Sequence, residues 1–156
     1  LWYVLLIGTG LFLLVRDGGA FRRYMRFLAL TFFLSAAVWF LIPSCQNLRP
    51  THMEESSVFT ALLSLLYRMD TNTNVFPSAH VVGAIGAALA VWDWQRPGRR
   101  PGAGMLTALL AVLICLSTVL IKQHALLDVL GGLVLAAGTG WFVYRPVKSF
   151  SPNNRT

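Results

Sequence analysis

Three features of the chain predict an all-α fold, a polytopic transmembrane helical bundle. Of its 156 residues, 56% are hydrophobic and only 12% charged, with a mean hydropathy of +0.62. A soluble domain of this size carries about 25% charged residues. The apolar residues are gathered into five runs near the length that crosses a bilayer. Most of the basic residues fall between these runs, where topology accounts for them. The net charge of +7 therefore implies no nucleic-acid partner. The length predicts a single domain over residues 1–148, with 149–156 a disordered cytoplasmic tail.

The first run, Leu1–Val15, starts without a methionine and reads as clipped at its beginning. No basic stretch precedes it, so it does not read as a cleavable signal. The second is Phe27–Ile42, stopped by Pro43. The third opens at Pro77 and runs to Trp92, the fourth spans Met105 to about Ile121, and the fifth spans His124 to about Tyr144. Glycine and alanine crowd the third and fifth runs, and small residues let membrane helices approach closely. In the long connection between the second and third runs, Ser56-Ser57 opens a short helix that continues through Tyr67. The segment Asp70-Thr71-Asn72-Thr73-Asn74 that follows is rich in turn formers. Cys45 lies beside a loop and Cys115 inside an apolar run, so no disulfide is expected.

Charge orients the bundle. Arg16, Arg22, Arg23 and Arg26 are read as the first loop, and Arg96, Arg99 and Arg100 as the third. Arg145, Lys148 and Arg155 follow the last span. If the spans alternate, all ten share one side, and the excess of cations makes that side cytoplasmic. Arg49, Arg68 and Lys122 lie on the opposite side. This predicts an integral protein of the plasma or inner membrane whose polar motifs face the extracytoplasmic side.

Those motifs are Phe76-Pro77-Ser78-Ala79-His80 and Lys122-Gln123-His124-Ala125-Leu126-Leu127-Asp128. Ionisable groups at membrane depth are expensive and mark function by default. Pro77 suits the first position of a helix. The amides of Ser78, Ala79 and His80 would then be free to hold an anion, with the Ser78 hydroxyl adding a donor. The bland reading is an ordinary helix start with an interfacial histidine. His124 and Asp128 are four residues apart, so on a helix they share a face. A carboxylate on one ring nitrogen fixes the tautomer and leaves the other free to attack or take a proton. The alternatives are a self-satisfied buried pair, or a divalent metal held by two histidines and an aspartate. Arg49 offers a fork for phosphate oxygens and Lys122 a point charge. Arg68, His52, Glu54 and Glu55 read as solvent-facing.

Together these residues resemble the type 2 phosphatidic acid phosphatase superfamily of membrane lipid phosphatases and phosphotransferases. Its second motif, Pro-Ser-x-His, is intact as Pro77-Ser78-Ala79-His80. Its third is present as Ser117-Thr118 through His124 to Asp128 with the family's spacing, and its first only as Arg49-Pro50. Ile42 stands in place of the family's lysine and Thr118 in place of its arginine, so two phosphate-binding cations are missing. Lys122 is a candidate replacement for one. This loss is also reminiscent of the inositol phosphorylceramide and sphingomyelin synthase branch.

The resemblance implies six spans with the site at the outer face. It makes His124 a nucleophile that forms a phosphohistidine, Asp128 its orienting group, and His80 the acid and base. Arg49, Lys122, Ser78 and Ser117 would hold the phosphate oxygens of a lipid phosphate, with no metal or cofactor. The expected activity is hydrolysis of a lipid phosphate monoester or pyrophosphate. The rivals are transfer to a hydroxyl acceptor and a non-catalytic lipid-binding protein. The oligomeric state is not legible.

Overall fold

The computed structural model describes residues 1–50, 57–95 and 102–145. Among these the fold is all-helical: α1 (Trp2–Arg16), α2 (Gly18–Leu41), α3 (Val58–Met69), α4 (Ala79–Trp94), α5 (Gly102–Leu120) and α6 (Leu126–Tyr144). Helices α2, α5 and α6 are long and apolar enough to cross a membrane, while α1, α3 and α4 are shorter apolar helices. Large apolar side chains such as Ile7, Phe33, Leu113 and Val134 are exposed on the outside of the bundle, as expected of a surface whose solvent is lipid. The expected positions of His52, Glu54, Glu55, Arg96, Arg99, Arg100, Lys148, Arg155 and the 149–156 tail lie outside the described residues.

Helix α4 is the axis of the bundle. It packs against α1, α2, α5 and α6, and Val81, Val82, Gly83, Ala84, Gly86, Ala87, Ala90 and Val91 along it are buried. Its small residues permit this. A Cβ on Gly86 would overlap the ring of Phe27 from α2, and one on Gly83 would fall 2.8 Å from Trp2 Nε1 of α1. On α6, a Cβ at Gly132 would lie 3.0 Å from the Ser78 carbonyl oxygen.

The boundaries differ from the sequence reading in three places. The first loop is the single residue Asp17, whose carboxylate accepts from the amides of Gly19 and Ala20 at 2.9 and 3.0 Å. Such an N-cap starts a helix at once. Arg22, Arg23 and Arg26 therefore stand on the first turns of α2, and Arg23 pairs with Asp93 of α4 at 2.7 Å. Pro77 lies outside its helix: Ser78 is the N-cap of α4 and its hydroxyl accepts from Val81 N–H. Third, His124 precedes α6, whose N-cap is Ala125. The short helix α3 does start as expected, with Ser57 and Thr60 capping each other's amides.

The close approach at Gly86 yields a test. Gly86→Val should lower thermal stability in detergent by about 1–3 kcal/mol through overpacking against Phe27. Gly138→Ala, with nothing within 4 Å of its Cβ, should be neutral or slightly stabilising in the same measurement.

Candidate functional site

The two histidine motifs converge at one end of the bundle. The amide of Ser78, at the start of α4, donates to the Asp128 carbonyl of α6 at 3.0 Å, so the two helix starts are clasped backbone to backbone. Across this clasp His80 Nδ1 meets His124 Nε2 at 3.2 Å, with ring centroids 5.4 Å apart. His80 is also held from behind: Trp2 donates its indole N–H to the His80 carbonyl at 2.9 Å, and the rings lie 4.8 Å apart.

His124 and Asp128 are both buried, at 6% and 5% exposure. His124 Nδ1 stands 3.7 Å from Asp128 Oδ2, beyond hydrogen-bond length. That carboxylate oxygen instead accepts from the Ala125 amide at 2.8 Å, which caps the first turn of α6. His124 Nδ1 is consequently a buried nitrogen without a hydrogen-bond partner. The His124 ring is held well below its usual range, at about 4. Burial is the main cause and the neighbouring His80 the second. Asp70 and the Val75 carbonyl pull upward, and Arg49 downward. His124 is thus neutral at physiological pH. One of the two facing ring nitrogens, His80 Nδ1 and His124 Nε2, donates to the other.

A cavity of about 280 Å³ opens on the two rings and is lined by His80, His124, Ala79, Asp70, Thr71, Thr73, Asn74, Val75 and Trp39. A second, about 520 Å³ and mostly apolar, reaches His80 from between α1, α3 and α5; Leu1, Leu66, Leu113, Leu116 and Leu120 line it, with Ser117, Thr118 and Gln123 near its polar end. His80 borders both.

The structure brings His80, His124 and Asp128 together but gathers the expected phosphate-binding residues less completely. Ser78 is fully buried, its hydroxyl used on Val81 N–H and its amide on Asp128. Arg49 donates to the carbonyls of Tyr67, Asp70 and Thr71 at 3.1, 2.6 and 3.2 Å and pairs with the Asp70 carboxylate at 3.7 Å. It cages the end of α3, where unpaired carbonyls attract a cation. Lys122 is exposed and lines neither cavity; its φ of 54° marks the turn between α5 and α6. Ser117 donates to the Ile114 carbonyl at 2.8 Å while bordering the apolar cavity. At the two positions where the family pattern has cations, Ile42 is 65% exposed and Thr118 is buried.

Asp70 is the residue that the sequence reading passed over as part of a turn. It lines the cavity with both imidazoles and accepts from Gln123 Nε2 at 3.0 Å. A usable signal was its rarity, since the whole chain has only 6 acidic residues. Among the described residues no cluster of three metal-ligating side chains occurs.

A family model, the PAP2 superfamily, matches residues 23–151. The chain belongs to that superfamily, whose members are phosphoesterases. No match was found among curated proteins or among solved structures.

The burial of neutral His124 has a measurable consequence. The unfolded imidazole, near 6.5, binds protons more readily than the folded one, near 4. Stability should therefore rise between about pH 4 and 6.5 and level off above, where neither state holds the proton. Removing the Asp70 charge by Asp70→Asn should push the His124 midpoint lower still, as read by imidazole NMR.

Proposed function

We propose that this protein is a membrane lipid-phosphate phosphatase that works through a phosphohistidine on His124. The observation that supports this reading most directly is the His80 Nδ1 to His124 Nε2 contact of 3.2 Å at the mouth of a polar cavity. The nitrogen that would attack and the nitrogen that would move protons already face each other.

In the resting arrangement the His124 lone pair is occupied by His80 N–H. A phosphoryl group replaces that hydrogen bond by entering between the rings, at a cost of about 0.5–1.5 kcal/mol. His124 Nε2 then forms a bond to phosphorus as the bond from phosphorus to the lipid oxygen breaks. His80, entering the step as the imidazolium, delivers its Nδ1 proton to the departing oxygen and is left neutral. Asp128, 3.7 Å from Nδ1, stabilises the positive charge that the ring acquires. In the second step His80 takes a proton from water, whose oxygen bonds phosphorus as the phosphorus–nitrogen bond breaks, and inorganic phosphate leaves. The equatorial oxygens are met by the first-turn amides of α4 at Ala79 and His80, because a helix start presents unpaired N–H groups.

The apolar cavity that reaches His80 favours a substrate whose tail lies in the bilayer, since it would let a chain approach the imidazole laterally. A second reading is favoured by the polar cavity. Its wall of Asp70, Thr71, Thr73 and Asn74 carries a carboxylate, two hydroxyls and an amide with no basic chain beyond the histidines. That lining suits a hydroxylated acceptor, so the phosphoryl group would pass to an alcohol in place of water by the same two steps.

Phosphate release from a panel of lipid phosphates tests the assignment. His124→Ala should reduce release by at least about 10³, and His80→Ala by about 10²–10⁴. Acid-labile labelling of the wild-type protein should disappear in His124→Ala. Equal release by wild type and His124→Ala would exclude His124 as nucleophile. Supplying inositol or glycerol as acceptor and analysing products separates transfer from hydrolysis.

A further inference from the structure

At the end of the bundle opposite the histidines, Arg26 of α2 and Arg145 at the end of α6 line a cavity of about 500 Å³ with Ala29, Leu30, Phe142 and Val143. The 19 residues of α6 put this cavity roughly 28 Å from the start of that helix, so it is separate from the histidine site. Both arginines mark the same boundary. Arg26 immediately precedes the apolar part of α2, and Arg145 immediately follows the apolar part of α6. Charge and hydrocarbon surface therefore meet in one hollow between two membrane-length helices.

Neither guanidinium is neutralised by a carboxylate among the described residues. The contrast with Arg23, one turn earlier on α2, is informative: Arg23 pairs with Asp93 at 2.7 Å. Arg145 lies over the rings of Trp141 at 5.1 Å and Phe142 at 5.4 Å, which holds its position without cancelling its charge. Two uncompensated cations above an apolar floor are complementary to a ligand with an anionic head and a hydrocarbon tail.

We propose that this hollow binds one anionic phospholipid of the leaflet opposite the histidine site. Its phosphodiester bridges Arg26 and Arg145, and an acyl chain lies along Leu30 and Phe142. Basic pockets between membrane helices hold lipid head groups by this combination of charge and apolar contact. The lipid is a structural ligand that fastens α2 to α6, not a substrate.

Native mass spectrometry of the purified protein, with dioleoylphosphatidylglycerol against dioleoylphosphatidylcholine, tests the site. The wild type should prefer the anionic lipid by at least about tenfold in apparent affinity. R26Q/R145Q should lose that preference, R26K/R145K should retain most of it, and R16Q, at the same end on α1, should keep it. Inorganic phosphate should not displace the lipid. Equal binding of the two lipids by the wild type, or an undiminished preference in R26Q/R145Q, overturns the proposal. If R26Q/R145Q does not fold, salt decides: the preference must fall steeply between about 0.05 and 0.5 M salt, and a salt-independent preference overturns the assignment.

Discussion

The close contact of α4 with four other helices is the constraint on which the site depends. In lipid, apolar side chains gain little by leaving one hydrocarbon surface for another, so helices associate through tight packing and hydrogen bonds. Gly83 admits Trp2, Gly86 admits Phe27, and Gly132 of α6 admits the Ser78 carbonyl and Val81. The last of these approaches brings the Ser78 amide within 3.0 Å of the Asp128 carbonyl. With the two helix starts joined there, the side chains two residues after Ser78 and four residues before Asp128 have little choice but to meet. The distance between the imidazoles is thus set by residues that have no side chain to speak of.

Irregular backbone closes this end of the bundle, and hydrogen bonds across the closure tie its segments together. The segment after α2 is stitched to the segment before α4: Gln46 N–H donates to Asn72 at 3.0 Å, and Phe76 N–H to Ser44 Oγ at 3.1 Å. The Gln46 amide also reaches the carbonyls of Lys122 and Gln123, and Tyr67 OH that of Ile121. Non-helical chain at membrane depth is tolerated when protein satisfies it. Arg49 belongs to this scheme: three of its bonds end on carbonyls at the close of α3, so its charge organises the loops that cover the cavity.

The two ends of the molecule use charge in opposite ways. At the histidine end, burial keeps His124 neutral, and the carboxylate of Asp128 stands 3.7 Å from His124 Nδ1 while Asp70 lines the same cavity. At the other end, Asp93 compensates Arg23, whereas Arg26 and Arg145 have no carboxylate partner among the described residues and stand beside an apolar surface. The difference matters physically, because an uncompensated cation attracts whatever anion is nearest and a neutral imidazole does not.

Much of this was legible in the chain. Apolar runs located α1, α4, α5 and α6 to within a few residues, because a membrane span is a matter of length and composition, whereas α2 begins at Gly18, nine residues before the expected Phe27. The serine cap of α3 was readable, as were the two histidine motifs and the family they resemble. Local pattern was insufficient where one polar group had several possible partners. Asp17 could have been a loop residue, but as a cap it abolishes the first loop and carries three arginines onto α2. Asp128 and His124 have helical spacing, yet the Asp128 carboxylate binds the Ala125 amide and leaves His124 outside the helix. Arg49 matches a phosphate motif, yet nearby carbonyls hold it. Composition and spacing alone determined that the chain forms a helical membrane bundle with two histidines at one face. Which donor meets which acceptor there was decided only by the packed structure, since hydrogen bonds join groups that are near in space and the sequence lists them only by order.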